Sequence, residues 1–113
     1  MAVKQTAGRD RLGHLAPQFA ALNDDVLFGQ VWSREDELSA RDRSLVTIAA
    51  LFSTGLFPQL EAHLRIGRTN GVTKDEAIEV VTQLAFYCGW PKAWSTFPII
   101  EKVWDEDTGA DAD

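Results

Sequence analysis

One segment of the chain, LVTIAALF at residues 45–52, is apolar or nearly apolar around a full helical turn. Ser39 precedes it, Asp42 three residues later forms a weak capping box, and Gly55 offers the left-handed conformation that ends helices. The sequence therefore predicts a helix over residues 40–54. A helix without a polar face is normally buried on all sides, and a 113-residue bundle can barely surround one. We expect another subunit to bury part of this surface; the alternative is a tight monomer around a central helix.

The middle of the chain carries start and stop signals for two more helices. Pro58 suits the first turn of a helix, and this helix is predicted to end at the Asn70–Gly71 stop. Thr73 and Glu76 then form the clearest capping box in the chain, because each side chain can bond the backbone of the other residue. The helix that they open is predicted to run to Gly89.

Helical signals continue on both sides of this region. Pro91 opens a last helix, in which Pro98 is predicted to form a kink or an interruption. Upstream, the run LAPQFAALNDDVLFGQVW predicts two short helices that are split near Asn23–Asp24. No useful length of sequence alternates with a period of two, so no strand is predicted. The pattern indicates an all-α fold.

Length and charge limit the domain organisation and the partners. The chain suits one compact domain, predicted as residues 1–104. The last nine residues, 105–113, contain five acidic and no basic residues, which is typical of a disordered tail. The chain has no basic stripe for nucleic acid, no run of about 18 apolar residues for a membrane and no signal-peptide core. We therefore expect a cytoplasmic protein that binds neither nucleic acid nor membranes.

The cysteine and histidine counts restrict redox and metal chemistry. Cys88 is the single cysteine of the chain, which excludes an intramolecular disulfide, a Cys-x-x-Cys centre and a multi-cysteine zinc site. His14 and His63 are far apart in sequence, so a histidine-rich metal site within one chain is not expected. Cys88 ends a predicted helix, where the negative end of the dipole disfavours a thiolate. We therefore predict that it is a small buried residue.

His63 is the first candidate for chemistry. Leu56, Gln59 and His63 lie at relative positions 0, +3 and +7 and share a helix face if the helix extends back to residue 56. Imidazole titrates near neutrality and serves as an acid or base in a cleft; the alternative is a core histidine with one hydrogen bond. Glu61 precedes Arg65 by four residues, which favours a surface ion pair over a catalytic role.

Arginines and aromatic residues give further candidates. Arg41 and Arg43 flank the start of the apolar helix. Such arginines usually bind carboxylates at helix ends or face solvent, and the sharper hypothesis is recognition of a substrate carboxylate. Tyr87, Trp90 and Trp94 are predicted packing residues, each of which is also suited to line a pocket.

The runs FGQVW, ARDRSLVTIAAL and QLEAHLRIGRTNGVTKDEAIEVVTQLAFYCGWPKAW resemble the carboxymuconolactone decarboxylase family over roughly residues 28–94. The motifs RSL, H-x7-G, the capping box and Y-x-G-x-P agree in order and spacing. The resemblance implies an alkylhydroperoxidase-like bundle of about six helices that oligomerises, commonly as a hexamer. The family has two well-known branches. One decarboxylates γ-carboxymuconolactone without a cofactor, and the other carries Cys-x-x-Cys-x-x-x-His on one helix face.

The dithiol branch does not fit this sequence. If His63 matches the motif histidine, the two cysteines would fall at Leu56 and Gln59, and the relay glutamate near Ser44. The chain has none of these groups, so a dithiol peroxidase is not expected. The decarboxylase branch fits better, although its members tend to carry a histidine in a pattern like LLHxAxYAGxP, where this chain has Gln83.

The resemblance gives the candidate site its roles. His63 is the expected catalytic proton donor. The residues expected to bind the substrate are Gln59, Arg43, Gln83, Trp32 and Tyr87. Of these, the two amides would orient the substrate or donate to an oxyanion, the guanidinium would bind a carboxylate, and the two rings would form apolar walls. No metal and no cofactor is expected.

Three functional hypotheses follow from these residues and the resemblance. The leading one is a cofactor-free lyase that acts on a small carboxylate or lactone. The second is a non-catalytic oligomeric protein that binds ligands or serves as a scaffold with the same fold. The third and weakest is redox chemistry at the single thiol of Cys88.

Overall fold

The computed structural model describes residues 4–106, which fall into two compact units that divide between Ala40 and Arg41. Six α-helices and one π-helix make up the regular structure, and no strand occurs between residues 4 and 106. The predicted all-α fold of about six helices is therefore confirmed. Within these described residues, no helix is both long and apolar enough to cross a membrane. The predicted single domain of residues 1–104 stays a prediction.

The first unit begins with short helices. They are α1 (Ala7–Leu12), α2 (Pro17–Ala21) and a π-helix (Leu22–Val31) that follows α2 without a gap. The wider winding shows at the end of the π-helix, where the amide of Trp32 donates to the carbonyl of Leu27, five residues back, at 2.9 Å. The predicted break at Asn23–Asp24 is wrong, because the helical backbone continues through both residues.

Asp24 explains why that break was predicted. Its carboxylate is buried and accepts hydrogen bonds from the backbone amides of Gly8 at 2.9 Å and Arg9 at 3.0 Å. It therefore caps α1, which lies 16 residues upstream, instead of marking a local turn. Burial acts to raise the pKa of Asp24, but the hydrogen bonds from Asn23, Arg9 and Gly8 outweigh it, and the pKa is lowered.

The second unit contains four longer helices. They are α3 (Ala40–Thr54), α4 (Phe57–Thr69), α5 (Lys74–Cys88) and α6 (Trp90–Asp105). The three links between them contain Gly55, Gly71 and Gly89, which have φ angles of 71°, 100° and 125°. These positive angles confirm the predicted helix stops, because side chains strain that conformation.

The predicted capping box of α5 is present with both of its hydrogen bonds. Thr73 Oγ1 accepts from the amide of Glu76 at 3.1 Å, and Glu76 Oε1 accepts from the amide of Thr73 at 3.0 Å. The other oxygen of Glu76 binds the guanidinium of Arg41. Arg41 therefore binds a carboxylate at a helix end, and it ties the first turn of α3 to the first turn of α5.

The core of the second unit lies along the inner faces of all four helices. Its fully buried members with the largest side chains are Phe52, Ile48, Leu60, Leu64, Ile100, Val81 and Val103. On α3, only the strip at helical spacing that contains Ser44, Ile48 and Phe52 is fully buried. Val46 is 62% exposed. The composition of this helix suggested burial on all sides. Within one chain the helix is not buried in this way.

Helices α5 and α6 form an antiparallel pair. Lys74 at the start of α5 lies 3.4 Å from Asp105 at the end of α6. Pro98 lies inside α6, which continues from Trp90 to Asp105, so the predicted interruption is absent. Of the predicted tail, Asp105 ends α6 and Glu106 forms ion pairs with Arg65 and Arg68 of α4. The remaining tail residues, 107–113, lie outside the described residues.

Candidate functional site

Helix α4 places different chemistry on its two flanks. The buried strip between them consists of Leu60, Leu64 and Gly67. One flank carries Glu61 and Arg65, which form an ion pair at 2.8 Å, as their spacing predicted. The other flank carries Gln59 and His63, which are one turn apart and share a face. Gln59 is exposed. This second flank is the candidate site.

His63 is half-buried on α4, and its Nδ1 atom is fully shielded from solvent. Burial lowers the pKa of the imidazole below its ordinary value, because the charged form loses hydration. His63 is therefore mainly neutral at pH 7. A negative charge placed beside it would favour the protonated form and so raise its pKa.

If His63 matches the motif histidine of the dithiol branch, Leu56 and Gln59 stand at its thiol positions and Ser44 near its relay carboxylate. Leu56 is the residue that precedes the first turn of α4, and Gln59 lies within that turn. Ser44 is fully buried, and its hydroxyl accepts a hydrogen bond from Asn70 Nδ2 at 3.0 Å. A Cβ atom on Gly67 would lie 3.5 Å from the Cβ of Ser44. Position 44 thus packs α3 against α4.

The other predicted site residues are distributed over separate elements. Arg43 is half-buried in the first turn of α3, while Gln83 and Tyr87 are exposed and one turn apart on α5. Trp32 belongs to the first unit, where its ring stacks on that of Phe28 with centroids 5.7 Å apart. The structure thus brings Gln59 together with His63. The role of the other four in one site stays a prediction.

An ion-pair network between α4 and α6 was not predicted from the sequence. Glu61 binds Arg65 and Lys102, and Arg65 also binds Glu106. The ammonium of Lys102 and the guanidinium of Arg65 hold the pKa of Glu61 below its ordinary value. The charge of Glu61 is therefore used to hold α6, which agrees with its predicted structural role. The sequence signal was limited to the Glu61–Arg65 spacing.

Cys88 makes one side-chain contact that the sequence did not indicate. Its Sγ lies 3.2 Å from the hydroxyl of Ser53 on α3, in a half-buried position. The carbonyl of Cys88 accepts a hydrogen bond from Lys92 Nζ at 2.8 Å. These contacts join the ends of α3 and α5 to the start of α6. Between residues 4 and 106, no group of three or more histidine, cysteine or acidic side chains is arranged to hold a metal ion.

The second unit is helical and places one histidine on a flank of α4, and the single cysteine of the chain rules out a dithiol. These features agree with the family that the sequence resembles. The sequence profile of the carboxymuconolactone decarboxylase family matches residues 17–102, which is more than half of the chain. The chain therefore belongs to the carboxymuconolactone decarboxylase family.

Three relatives illustrate the range of the family. The chain is 40% identical over 79 residues to 4-carboxymuconolactone decarboxylase of Acinetobacter baylyi, covering 70% of this chain and 58% of that protein. It is 33% identical over 76 residues to nitrosuccinic acid decarboxylase of Metarhizium robertsii, covering 67% and 52%. An uncharacterized 15.0 kDa protein of Paracoccus denitrificans is 32% identical over 95 residues, covering 82% and 70%. The chain thus spans less than two thirds of the length of either named decarboxylase.

Proposed function

We propose that this protein is a cofactor-free lyase that decarboxylates a small carboxylate or lactone, with His63 as the proton donor. The observation that carries the proposal is the half-buried imidazole that shares a face of α4 with Gln59, on the flank opposite the Glu61–Arg65 ion pair. Two relatives are named as decarboxylases of different acids. Their names support decarboxylation as the common reaction and leave the substrate open.

The proposed reaction breaks one carbon–carbon bond and forms one carbon–hydrogen bond. As the bond to the carboxylate breaks, CO2 leaves and the electron pair moves into a conjugated carbonyl or nitro group, giving an enolate or a nitronate. Amide N–H groups from Gln59 and Gln83 would stabilise the developing oxyanion, a type of interaction worth about 3–4 kcal/mol per donor in other enzymes. Protonation at carbon then completes the reaction. Arg43 would hold the carboxylate before it leaves, and Tyr87 would form an apolar wall.

The lowered pKa of His63 fits this sequence of events. The free enzyme holds a neutral imidazole because burial disfavours the charged form. When an anionic substrate binds nearby, its charge favours the imidazolium, so the proton would be taken up together with the substrate. The donor would then be charged only when a carbanion-like intermediate is about to form.

Direct turnover tests the proposal. Purified protein is incubated with 4-carboxymuconolactone and separately with nitrosuccinic acid, and release of CO2 is followed for wild type and His63→Gln. We expect turnover of at least one acid and a loss of about 100-fold or more in the variant, since general acid–base catalysis typically contributes 10²–10⁴-fold. His14→Gln is the matched control, at an exposed position of the first unit, and should retain full turnover. Equal rates for wild type and His63→Gln would contradict the role of His63.

A second candidate function is favoured by Gln83. This residue stands where decarboxylases of the family tend to carry a histidine, and its exposed amide cannot exchange a proton with a substrate. A protein with this change would bind a small carboxylate without converting it. Calorimetric binding of either acid without CO2 release, in wild type and in Gln83→His, would favour this second function over the first.

We further propose that the protein works as a homo-oligomer in the cytoplasm, with a small molecule as its ligand. The exposed apolar surface of α3 supports the oligomer. Val46 is exposed to solvent although it belongs to the nearly apolar segment of residues 45–52, and a second subunit would cover it. The hexamer is the assembly that the family resemblance implies.

A further inference from the structure

A groove of about 620 Å3 lies between α5 and α6. Most of its lining is apolar or aromatic, and α6 contributes the rings of Trp90, Trp94 and Phe97. Lys74 and Glu101 are the charged residues of the lining. The groove therefore combines a large aromatic surface with one positive and one negative side chain.

Aromatic side chains are exposed to an unusual degree in and beside this groove. Trp94 is 73% exposed and Trp90 is 56% exposed, while Phe86 and Tyr87 at the end of α5 are each 78% exposed. Large exposed apolar patches on soluble domains mark surfaces that bind a partner. Tryptophan and tyrosine also dominate the energetics of protein interfaces. The aromatic end of the groove therefore has the composition of an interface.

The charges of the groove restrict what can cover it. Among residues 4–106, Glu101 has no ion-pair partner, and Lys74 has only the contact with Asp105 at 3.4 Å. An apolar molecule in the groove would bury the carboxylate of Glu101 without a partner, which is unfavourable. An anionic ligand would be repelled by the same carboxylate. A partner that pairs with both residues must therefore carry a cation for Glu101, an anion for Lys74 and aromatic surface beside them.

A second copy of this chain has all three properties. In a two-fold symmetric interface, the same patch occurs on both sides, so a contact between residue i and residue j is formed twice. We propose that this groove is such an interface, in which Lys74 of each copy pairs with Glu101 of the other. The inference rests on the proposed homo-oligomer and does not depend on the proposed reaction.

Charge reversal tests the pairing directly. Oligomer mass is measured by sedimentation equilibrium over a series of protein concentrations for Lys74→Glu, Glu101→Lys and the double variant. Each single change places two like charges opposite each other, so we expect the dissociation constant of the interface to rise about tenfold or more. The double variant restores opposite charges and should return to within about threefold of wild type.

Three further measurements make the test decisive. Glu79→Lys makes the same charge change on α5 at an exposed residue outside the lining, and should leave the dissociation constant unchanged. Trp94→Ala removes an exposed ring and should weaken the assembly while circular dichroism stays that of the wild type. A monomeric wild type at all concentrations, or a double variant weaker than both single variants, would overturn the proposal. Since CO2 release is measured separately, an inactive but paired protein would disprove only the proposed reaction.

Discussion

At the scale of single residues, His63 and Ser44 show how similar positions acquire different roles. Both lie on helices whose neighbouring residues form the core. Ser44 is fully buried and satisfied by Asn70, so it serves packing alone. His63 is only half-buried and keeps part of its ring accessible. The degree of burial therefore separates Ser44, which serves packing, from His63, whose proposed role requires access to a ligand.

The lowered pKa of His63 has a consequence for stability. The unfolded chain binds a proton at the ordinary histidine pKa of about 6.5, whereas the folded protein binds it only at lower pH. Lowering the pH through 6.5 therefore stabilises the unfolded state, and the free energy of unfolding falls. We expect this decrease between about pH 7 and pH 5 in urea titrations of wild type. It should be absent in His63→Gln and retained in His14→Gln. A wild-type curve that is flat over this window would contradict the expectation.

At the scale of secondary-structure elements, the start of α5 is the best-defined helix boundary of the second unit. Thr73 and Glu76 exchange their two hydrogen bonds there, and Glu76 also binds Arg41 of α3. Two acidic residues, Asp75 and Glu76, lie in the first turn, where the helix dipole favours negative charge. Glu76 therefore helps to start α5 and also attaches it to α3.

Thr73→Ala should lower the free energy of unfolding by about 1 kcal/mol, since it removes the hydroxyl that accepts from the amide of Glu76. Urea unfolding followed by circular dichroism measures the change. Thr73→Ser keeps the hydroxyl and is the matched control, with an expected loss of only a few tenths of a kcal/mol. Equal stability of the serine and alanine variants would show that the capping bond contributes nothing.

At the scale of the whole molecule, carboxylates hold helices together in both units. Between residues 4 and 106, five of them have a lowered pKa: Asp24, Asp25, Glu61, Glu76 and Glu106. In the first unit, Asp24 caps α1. In the second, Glu106 joins α6 to α4 through Arg65 and Arg68. Each contributes stability at neutral pH that is lost as the pH falls through its folded pKa.

Acid should therefore unfold the protein in a pH range distinct from that of His63. For Glu106, hydrogen bonding to Arg65 is the main cause of the lowered pKa. We expect Glu106→Gln to reduce stability at pH 7 and to flatten its decline below about pH 4.5. Urea titrations at a series of pH values measure both effects. Glu79→Gln, at an exposed position of α5, should match wild type. An unchanged acid slope in Glu106→Gln would show that the network does not link α6 to α4 in solution.

The helices of the second unit were predictable because their signals are local. The capping box spans residues 73–76, and each glycine stop requires only its own φ angle. The break at Asn23–Asp24 was mispredicted because the backbone amides that donate to Asp24 lie 15 and 16 residues away. Likewise, Arg65 and Glu106 are 41 residues apart. A single sequence does not reveal such distant partners.

The candidate site divides in the same way. The shared face of Gln59 and His63 follows from helical periodicity and was predictable. The placement of Gln83 and Tyr87 depends on how α5 packs, which the sequence does not specify. Both side chains are exposed in the single chain. The catalytic role of His63 follows from the family resemblance and stays a prediction, while periodicity alone favoured a core histidine.

The link between α5 and α6 consists of Gly89 alone, with a φ angle of 125°. An inserted residue would let α6 turn about its axis by roughly 100°, the rotation per residue of an α-helix. Such a turn would carry the rings of Trp90 and Trp94 away from the groove that they line. We therefore expect evolution to disfavour insertions and deletions in this link. Changes of chain length are better accommodated in the exposed segment of residues 33–39, which connects the π-helix to α3.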